Sequence, residues 1–567
     1  MSNFKIYIMK TRFTFLALIF LGLTTNIFAQ RAGYNCTDGV YRDNCEHSTE
    51  MYISERPTDL IVNTIPAKSG GTGTADDPYI ITTAEEFNEM ATRLSEGTET
   101  QSSTFPNANV GYAGNYFKLA NDIELTEFHQ VGNYDHIFFG NFDGDNHSIS
   151  GINGYIEECA GLFNRIGDGG YVCNLSIHGV MEGTIYVGGL VGALMTGSRV
   201  SNIHNYVEVR SEWYYAGGIA GSSWGSILGC TNNANISGAS DFVGGIVGDC
   251  YFDVYDCVNT GDVTGAGSVG GIIGYSFPHN VARCVNAGNL YGDFYSGGVI
   301  GFVDNYNHPD LICSELVNLG EVITGDASVI GRLWVEGDVE GHADNCFYNT
   351  QNSTKPGYIP GNHAEWVQPK TVLEMIGSGL AESLTSWTFN EGLFPMPAPV
   401  AESEIAICAA TPAYFFNEDG NVNMYNALNK DFTVNIENGA AWSTDSDIIT
   451  IEEGVVTLVN TGDCILTLNI GNASKYYNLT VSQPDNVNEI ATLSNNIYPN
   501  PANNSITIDN QDVKNVKIYN VKGQCMIDVN MNGSSTIDVS ALEVGFYILR
   551  AEYNDNTIAT SNISITR

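Results

Sequence analysis

Apolar residues fall in short runs broken by paired glycines, and the runs repeat. VGGLVG begins at Val187, AGGIAG at Ala216, VGGIVG at Val243, VGGIIG at Val269 and SGGVIG at Ser296, at spacings of 29, 27, 26 and 27 residues. A variable turn follows each run, then a second recurring stretch: CTNNANISG at Cys230, CVNTGDVTG at Cys257, CVNAGNLYG at Cys284 and LVNLGEVITG at Leu316. Each unit therefore holds two or three short strands separated by Gly, Asn and Asp turns. No 3.6-residue periodicity accompanies them, which sets helical repeats aside. Internal periods of this length predict a solenoid. The fold class is all-β: a right-handed parallel β-helix of 26–32-residue coils, followed by two small antiparallel β-sandwiches. Successive coils would pair about 4.8 Å apart.

Stacked coils put equivalent positions above one another. Asn232, Asn259, Asn286 and Asn318 then form a ladder of bonded amides at one turn, and Cys230, Cys257 and Cys284 form a column of small buried side chains. The paired glycines mark a place where a Cβ is excluded or φ is positive. Leu190, Ile219, Ile246, Ile272 and Val299 fill the interior beside them. Tyr186, Tyr215, Phe242 and Tyr295, interrupted by Ser268, share the parity of that column and so read as core. Trp213 and Tyr214, and Tyr251, Phe252 and Tyr255 in the next turn, are the aromatic candidates for an exposed ligand-binding surface.

Before the repeats, Ala84 to Leu94 predicts a short helix closing the open end of the coil, where an uncovered sheet edge would otherwise be exposed. Phe117 to Leu125 and Ile149 to Ile152 predict the first strands. After the repeats, KTVLEMIGSGLAESL at Lys370 predicts a second helix, and the domain closes near residue 400. Pro395, Pro397 and Pro399 mark a linker. Alternating segments from Ile405 to Val481 predict a sandwich with Trp442 in its core and Cys408 and Cys464 as a candidate bridge. The expected boundaries are 1–29, 30–68, 69–400, 401–484, a linker at 485–494, and 495–567.

The hexapeptides GGLVG, GGIAG, GGIVG and GGIIG resemble the GLUG motif over roughly residues 159–331. That repeat occurs in adhesin-like bacterial surface proteins and near some immunoglobulin-cleaving peptidases. AWSTDSDIITIEEGVVTLVNTGDCILTL resembles a bacterial Ig-like group 2 domain. IYPNPANNSITI at Ile497, VKIYNVKGQCMI at Val516 and TIDVSALEVGFYILRAE at Thr536 resemble a type A C-terminal sorting domain of the type IX secretion system. That last resemblance implies a Bacteroidetes-type organism, export across the outer membrane and the secretion machinery as a partner.

Charge narrows the function. With 64 acidic against 23 basic residues the formal net charge is −41, a poor surface for nucleic acid, whose phosphates need clustered Lys and Arg. Lys10 and Arg12 precede an apolar run from Phe13 to Leu23 and a small residue at Ala29, which reads as a signal peptide cleaved between Ala29 and Gln30. No spanning segment is expected in the mature chain. Thirteen cysteines leave at least one unpaired, and Cys36 with Cys45 is the favoured disulfide. DGDNH at 143–147 lacks the remaining ligands of an EF-hand loop and reads as a turn, with calcium as the alternative; no other cofactor and no metal site is expected. Residues 119–331 hold 23 Asp or Glu, no Lys and four Arg, unsuited to lyase chemistry on an anionic polymer. Asp262 and Glu321, two coils apart, stand at a separation that a hydrolase could use, but acidic turn residues on any coil would yield such pairs, and no catalytic residue is expected. The expected function is an adhesin-like protein that recognises an extracellular glycan or glycoprotein. A polysaccharide-degrading enzyme and a structural spacer are the alternatives.

Overall fold

The computed structural model describes residues 70–97, 110–277, 280–293, 295–305, 313–323, 329–335, 343–350, 352–353 and 367–411. Further on it describes 425–427, 432–434, 436, 439–471, 473–482, 491–492, 497–508, 513–520, 525–531, 536–554 and 558–566. The signal peptide, its Ala29/Gln30 cleavage point, the 30–68 segment with Cys36 and Cys45, and nearly all of the 485–494 linker lie outside these residues. The chain divides into two compact units. One comprises 1–423, 433–443 and 466–477; the other comprises 424–432, 444–465 and 478–567.

The first unit is a parallel β-solenoid of about eight turns. A sheet of 21 strands and a second of seven carry the coils. The register follows the repeat: Ile227 pairs with Val200 on one side and Val254 on the other, and Val254 pairs with Val281. The column of Val187, Ala216, Val243 and Val269 pairs in the same way. All of these residues are fully buried, so each added coil extends one continuous apolar core. Coil pairing and core burial therefore reinforce one another along the axis.

The helix α1 (Ala84–Glu96) covers the first coils. Thr83 caps it through Glu86 N, and Gly97 ends it in the left-handed region. Its buried face, Phe87, Met90, Ala91 and Leu94, meets a plug of rings. Phe87 lies edge-on to Phe142 at 6.1 Å, and Tyr112 to Phe117 at 5.0 Å. Phe87, Met90 and Leu94 each contribute about 1.5–3 kcal/mol over an exposed side chain. That gain favours the closed end over a bare coil.

The paired glycines act by sterics alone. A Cβ on Gly245 would strike Gly271 O of the next coil and approach Asn259 Cγ at 2.5 Å; one on Gly218 would approach Asn232 Cγ at 2.7 Å. The second glycine of each pair thus makes room for the asparagine inside the coil. Positive φ is found elsewhere, at Tyr186 (57°), Tyr215 (62°) and Phe242 (65°). That left-handed step breaks the two-residue alternation, so the rings leave the main core despite their parity. Tyr186 stacks on Tyr215 at 4.8 Å, and Tyr215 on Phe242 at 5.3 Å, while Tyr295 is 39% exposed.

Beyond the coils, α2 (Val372–Met375) is shorter than the sequence suggests. Ile376 is extended and Gly377 turns left-handed at φ 59°, which stops the helix after one turn. Trp387–Thr388 pairs antiparallel with Met396–Pro397. Trp387 Nε1 donates to Glu315 Oε2 at 2.6 Å, tying this hairpin to a coil. The helix α3 (Glu404–Ala410) packs on strands Thr231–Asn232 and Val258–Asn259. Cys408 lies on α3, and both Cys408 and Cys464 are free thiols. The candidate bridge between them is therefore not made.

The C-terminal region holds small, mainly antiparallel sheets. Ile449–Glu452 and Val455–Leu458 form a hairpin. Trp442 is half-buried and stacks on Tyr477 at 5.7 Å. In the last segment Gly545–Tyr553 pairs antiparallel with Val513–Asn520 and Ile558–Ile565. Ile497–Tyr498, Ser505–Ile508 and Thr536–Asp538 make a second sheet. Val516, Ile518, Leu549, Ile563 and Ile506 fill the core of this module.

Candidate functional site

The asparagine column runs one coil further than the repeats suggest. Asn205 Nδ2 donates to Asn232 Oδ1 at 2.7 Å, Asn232 to Asn259 at 2.7 Å, Asn259 to Asn286 at 2.8 Å and Asn286 to Asn318 at 2.9 Å. Each amide also donates to a carbonyl two residues on, as Asn259 does to Gly261 O at 2.8 Å. All five are fully buried, so every amide oxygen and nitrogen is committed to the scaffold. Cys230, Cys257 and Cys284 are likewise buried. The thiol of Cys257 is pushed well above its ordinary pKa by burial and by its two cysteine neighbours. A thiol so shifted stays protonated and inert.

The exposed aromatic candidates do not form one group. Tyr251 stacks on Trp224 at 4.1 Å. It joins Phe242, Tyr275, Phe277 and Phe302 in an apolar layer outside the main core. Rings stacked along the coil axis cover each other's faces and offer a ligand mainly their edges. In the same column as Tyr275 and Phe302, Asp249 is buried, with Oδ2 accepting from Ser222 Oγ at 3.4 Å and Oδ1 without a hydrogen bond among the described residues. Burial raises its pKa well above the carboxylate range. Phe252 is half-buried in the adjoining turn, and Tyr255 is half-buried under the Arg283 guanidinium, 5.3 Å from its ring centre.

Trp213 differs. Along the pairing of Tyr171–Gly188 with Arg199–Gly217, Gly183 faces Ser211 but Ile185 faces Tyr214. Thr184 therefore opposes two residues, Glu212 and Trp213, and the strand bulges outward. The buried Ser211 hydroxyl clamps the bulge, its single proton shared between Thr184 O at 3.1 Å and Tyr214 O at 3.0 Å. Trp213 is left 45% exposed. Beside it, Tyr155, 53% exposed, donates to Glu212 Oε2 at 3.1 Å and lies 3.2 Å from Thr184 Oγ1. Arg210 spans Glu182 and Glu208, each at 2.8 Å, and those two carboxylates hold its guanidinium above its ordinary pKa. Two exposed rings and a set of fixed acceptors thus stand together on a rigid sheet. Tyr214, half-buried, packs against Tyr215 at 5.9 Å and supports this corner.

Tyr155, Glu212 and Arg210 escaped the sequence reading because Tyr155 and Glu212 are 57 residues apart. One signal was available: the 29-residue spacing before AGGIAG, against 27 after it, marks extra residues in this coil. Asp262 and Glu321 do not make an isolated carboxylate pair. Asp262 Oδ1 accepts from Asn289 N at 2.9 Å, and Asn289 Oδ1 accepts from Glu321 N at 3.3 Å, so the column braces successive coils. In DGDNH, Asp143 Oδ1 accepts from Asp145 N and Asn174 Nδ2, and Asp145 pairs with Lys118 at 2.9 Å. Among the described residues no cluster of three or more His, Cys, Asp or Glu side chains is placed to hold a metal, and no helix is long and apolar enough to cross a membrane.

Residues 496–565 match the secretion system C-terminal sorting domain family. The chain is therefore a type IX secretion substrate, exported to the outer cell surface or released, of the Bacteroidetes kind. An Evansella cellulosilytica protein described as a Gly-rich membrane protein is 31% identical over 147 residues, which are 24% of this chain and 15% of that protein. The chain thus spans a small part of that relative's length. Among solved structures, a Bacteroides ovatus protein described as an immunoglobulin A1 protease is similar over 58% of this chain and 95% of its own, at 19% identity and a TM-score of 0.38. SGBP-B of the mixed-linkage glucan utilization locus of the same species, solved with a mixed-linkage heptasaccharide, matches over 25% of this chain and 43% of its own, at 16% identity and a TM-score of 0.12. Likenesses this low carry no functional argument.

Proposed function

We propose that the protein is an adhesin-like surface binder that recognises an extracellular glycan or glycoprotein through the outer face of its coils. In this reading the repeats are of the GLUG type, and the Ig-like segment and sorting domain serve presentation and export. The observation that carries the reading is the clamped bulge. It holds Trp213 exposed beside Tyr155 and Glu212 on a surface that the asparagine ladder keeps rigid. An exposed ring offers a flat apolar face to the C–H side of a sugar, and fixed carboxylate and hydroxyl groups at its edge bond the sugar hydroxyls. Side chains placed on strands and braced from below lose little entropy on binding.

A glycan and matrix-protein array probed with the secreted chain tests this. The expected result is selective binding that the Trp213→Ala variant loses at unchanged melting temperature. Absence of any ligand, or a variant that binds as the parent does, would refute the reading.

A further inference from the structure

Tyr155 does not stand alone. The pairing register runs from Tyr155 to Glu182, Arg210, Ser237, Thr264 and Tyr291, one residue from each of six successive coils. All six are exposed or half-exposed. Five coil spacings of about 4.8 Å make this lane about 24 Å long. Its floor is low at Ser237 and Thr264, and an exposed tyrosine stands at each end, Tyr155 at 53% and Tyr291 at 38%.

One wall of the lane is the bracing column. Asn235 Oδ1 accepts from Asp262 N, and Asp262 Oδ1 and Asn289 Oδ1 accept from the following coils. The oxygens of Asn235 and Asn289 are thereby used, while Nδ2 of each has no protein partner among the described residues. Donors therefore alternate with the Asp262 carboxylate along the wall; on the floor Thr264 adds a hydroxyl, and Ser237 Oγ, which donates to Val209 O at 3.3 Å, is left as an acceptor. Hydroxyl groups, which donate and accept, satisfy such a row better than a purely anionic or cationic ligand. The charge is one-sided. Glu182, Glu208, Glu212, Asp262 and Glu321 flank the lane, and among the described residues its one cation, Arg210, is already spanned by two of them. An anionic chain would meet repulsion at Glu212, Asp262 and Glu321, weakened but not removed by salt.

Building on the binding reading above, we infer that the ligand is an uncharged glycan chain lying along the solenoid axis in this lane, from Tyr155 and Trp213 to Tyr291. The closest fit is a linear, hydroxyl-rich chain that crosses the coils at right angles to the strands.

Calorimetric titration of the full secreted chain with cellohexaose, xylohexaose, mannohexaose and hexagalacturonate tests it. At least one neutral hexaose should bind and hexagalacturonate should not. Tyr291→Ala should weaken the hexaose at least about tenfold while leaving the matching disaccharide unchanged, and Trp213→Ala should weaken both. Thr264→Trp, which fills the exposed floor, should block the hexaose alone, a result that loss of folding would not give. If Tyr291→Ala and Thr264→Trp bind the hexaose as the parent does while Trp213→Ala fails, the lane is wrong and the bulge site stands. Hexagalacturonate binding as tightly as the neutral chains overturns the charge argument. If no neutral hexaose binds, the lane falls while the binding reading is decided by the array; if a hexaose binds and Trp213→Ala has no effect, the lane and the reading beneath it both fall.

Discussion

Replacing Asn259 by Ala removes the middle rung of the ladder. Three bonds go: the one received from Asn232 Nδ2 at 2.7 Å and the two given to Asn286 Oδ1 and Gly261 O, both at 2.8 Å. Two of the stranded partners keep a second contact, since Asn232 Nδ2 still donates to Ala234 O and Asn286 Oδ1 still accepts from Gly288 N. The loss is therefore nearer three ordinary net bonds than three orphaned groups, about 2–4 kcal/mol. For a unit of this size that corresponds to a fall in melting temperature of roughly 3–5 °C. Thermal unfolding followed by circular dichroism reads it, with Thr264→Ala on the same coil as a surface control expected within about 0.5 kcal/mol. Coupling gives a second reading. A Cβ at Gly245 points at Asn259 Cγ, so the double variant Gly245→Ala/Asn259→Ala should lose less than the sum of its parts. An Asn259→Ala variant that melts with the Thr264→Ala control would refute the buried ladder.

Four further outcomes are expected. Gly245→Ala alone forces a Cβ against backbone and the ladder, and should destabilise by about 1–3 kcal/mol on the same melt; an unchanged midpoint would contradict the steric account of the paired glycines. Asp249 has its folded pKa raised by burial. Its contribution to stability is therefore full below the ordinary carboxylate range and is lost as pH rises towards the folded value, by about 1.4 kcal/mol for each pH unit crossed. Asp249→Asn should accordingly gain on the parent between pH 5 and pH 8 and lose that gain at pH 3, and parallel stability curves would exclude the effect. Among the described cysteines Cys525 is exposed and the others are buried, so native alkylation read by mass spectrometry should label Cys525 first; rapid labelling of Cys257 would show an open coil. Deleting residues 496–567 should hold folded protein in the periplasm on fractionation, and normal surface levels would contradict the export route.

The period of the glycine pairs was legible, and with it the parallel coil, because pairing repeats every position at a fixed offset. The asparagines share that offset, so their common column could be read before any bond was seen. Local backbone conformation could not. Tyr186, Tyr215 and Phe242 look like core by alternation, yet a single left-handed residue before the glycines turns them outward. Trp213 could be picked out as exposed, but its neighbours come from other coils, and only the register joins Tyr155 to Glu212 and Tyr291 to the same lane. The helix α3 lay hidden in a segment read as strands, because Ser403 caps a short apolar run whose packing surface is the distant strand Val258–Asn259. The bridge between Cys408 and Cys464 failed for the same reason.

Hydroxyl-radical footprinting of the secreted chain, with and without the glycan it binds most tightly, would test the coil-face account most directly. Tyr155, Trp213 and Tyr291 are exposed at comparable levels, as is Tyr134 elsewhere on the first unit at 58%. The account predicts that the glycan protects the first three from oxidation and leaves Tyr134 unchanged. Protection that spares Trp213 and Tyr155, or falls equally on Tyr134, would contradict it.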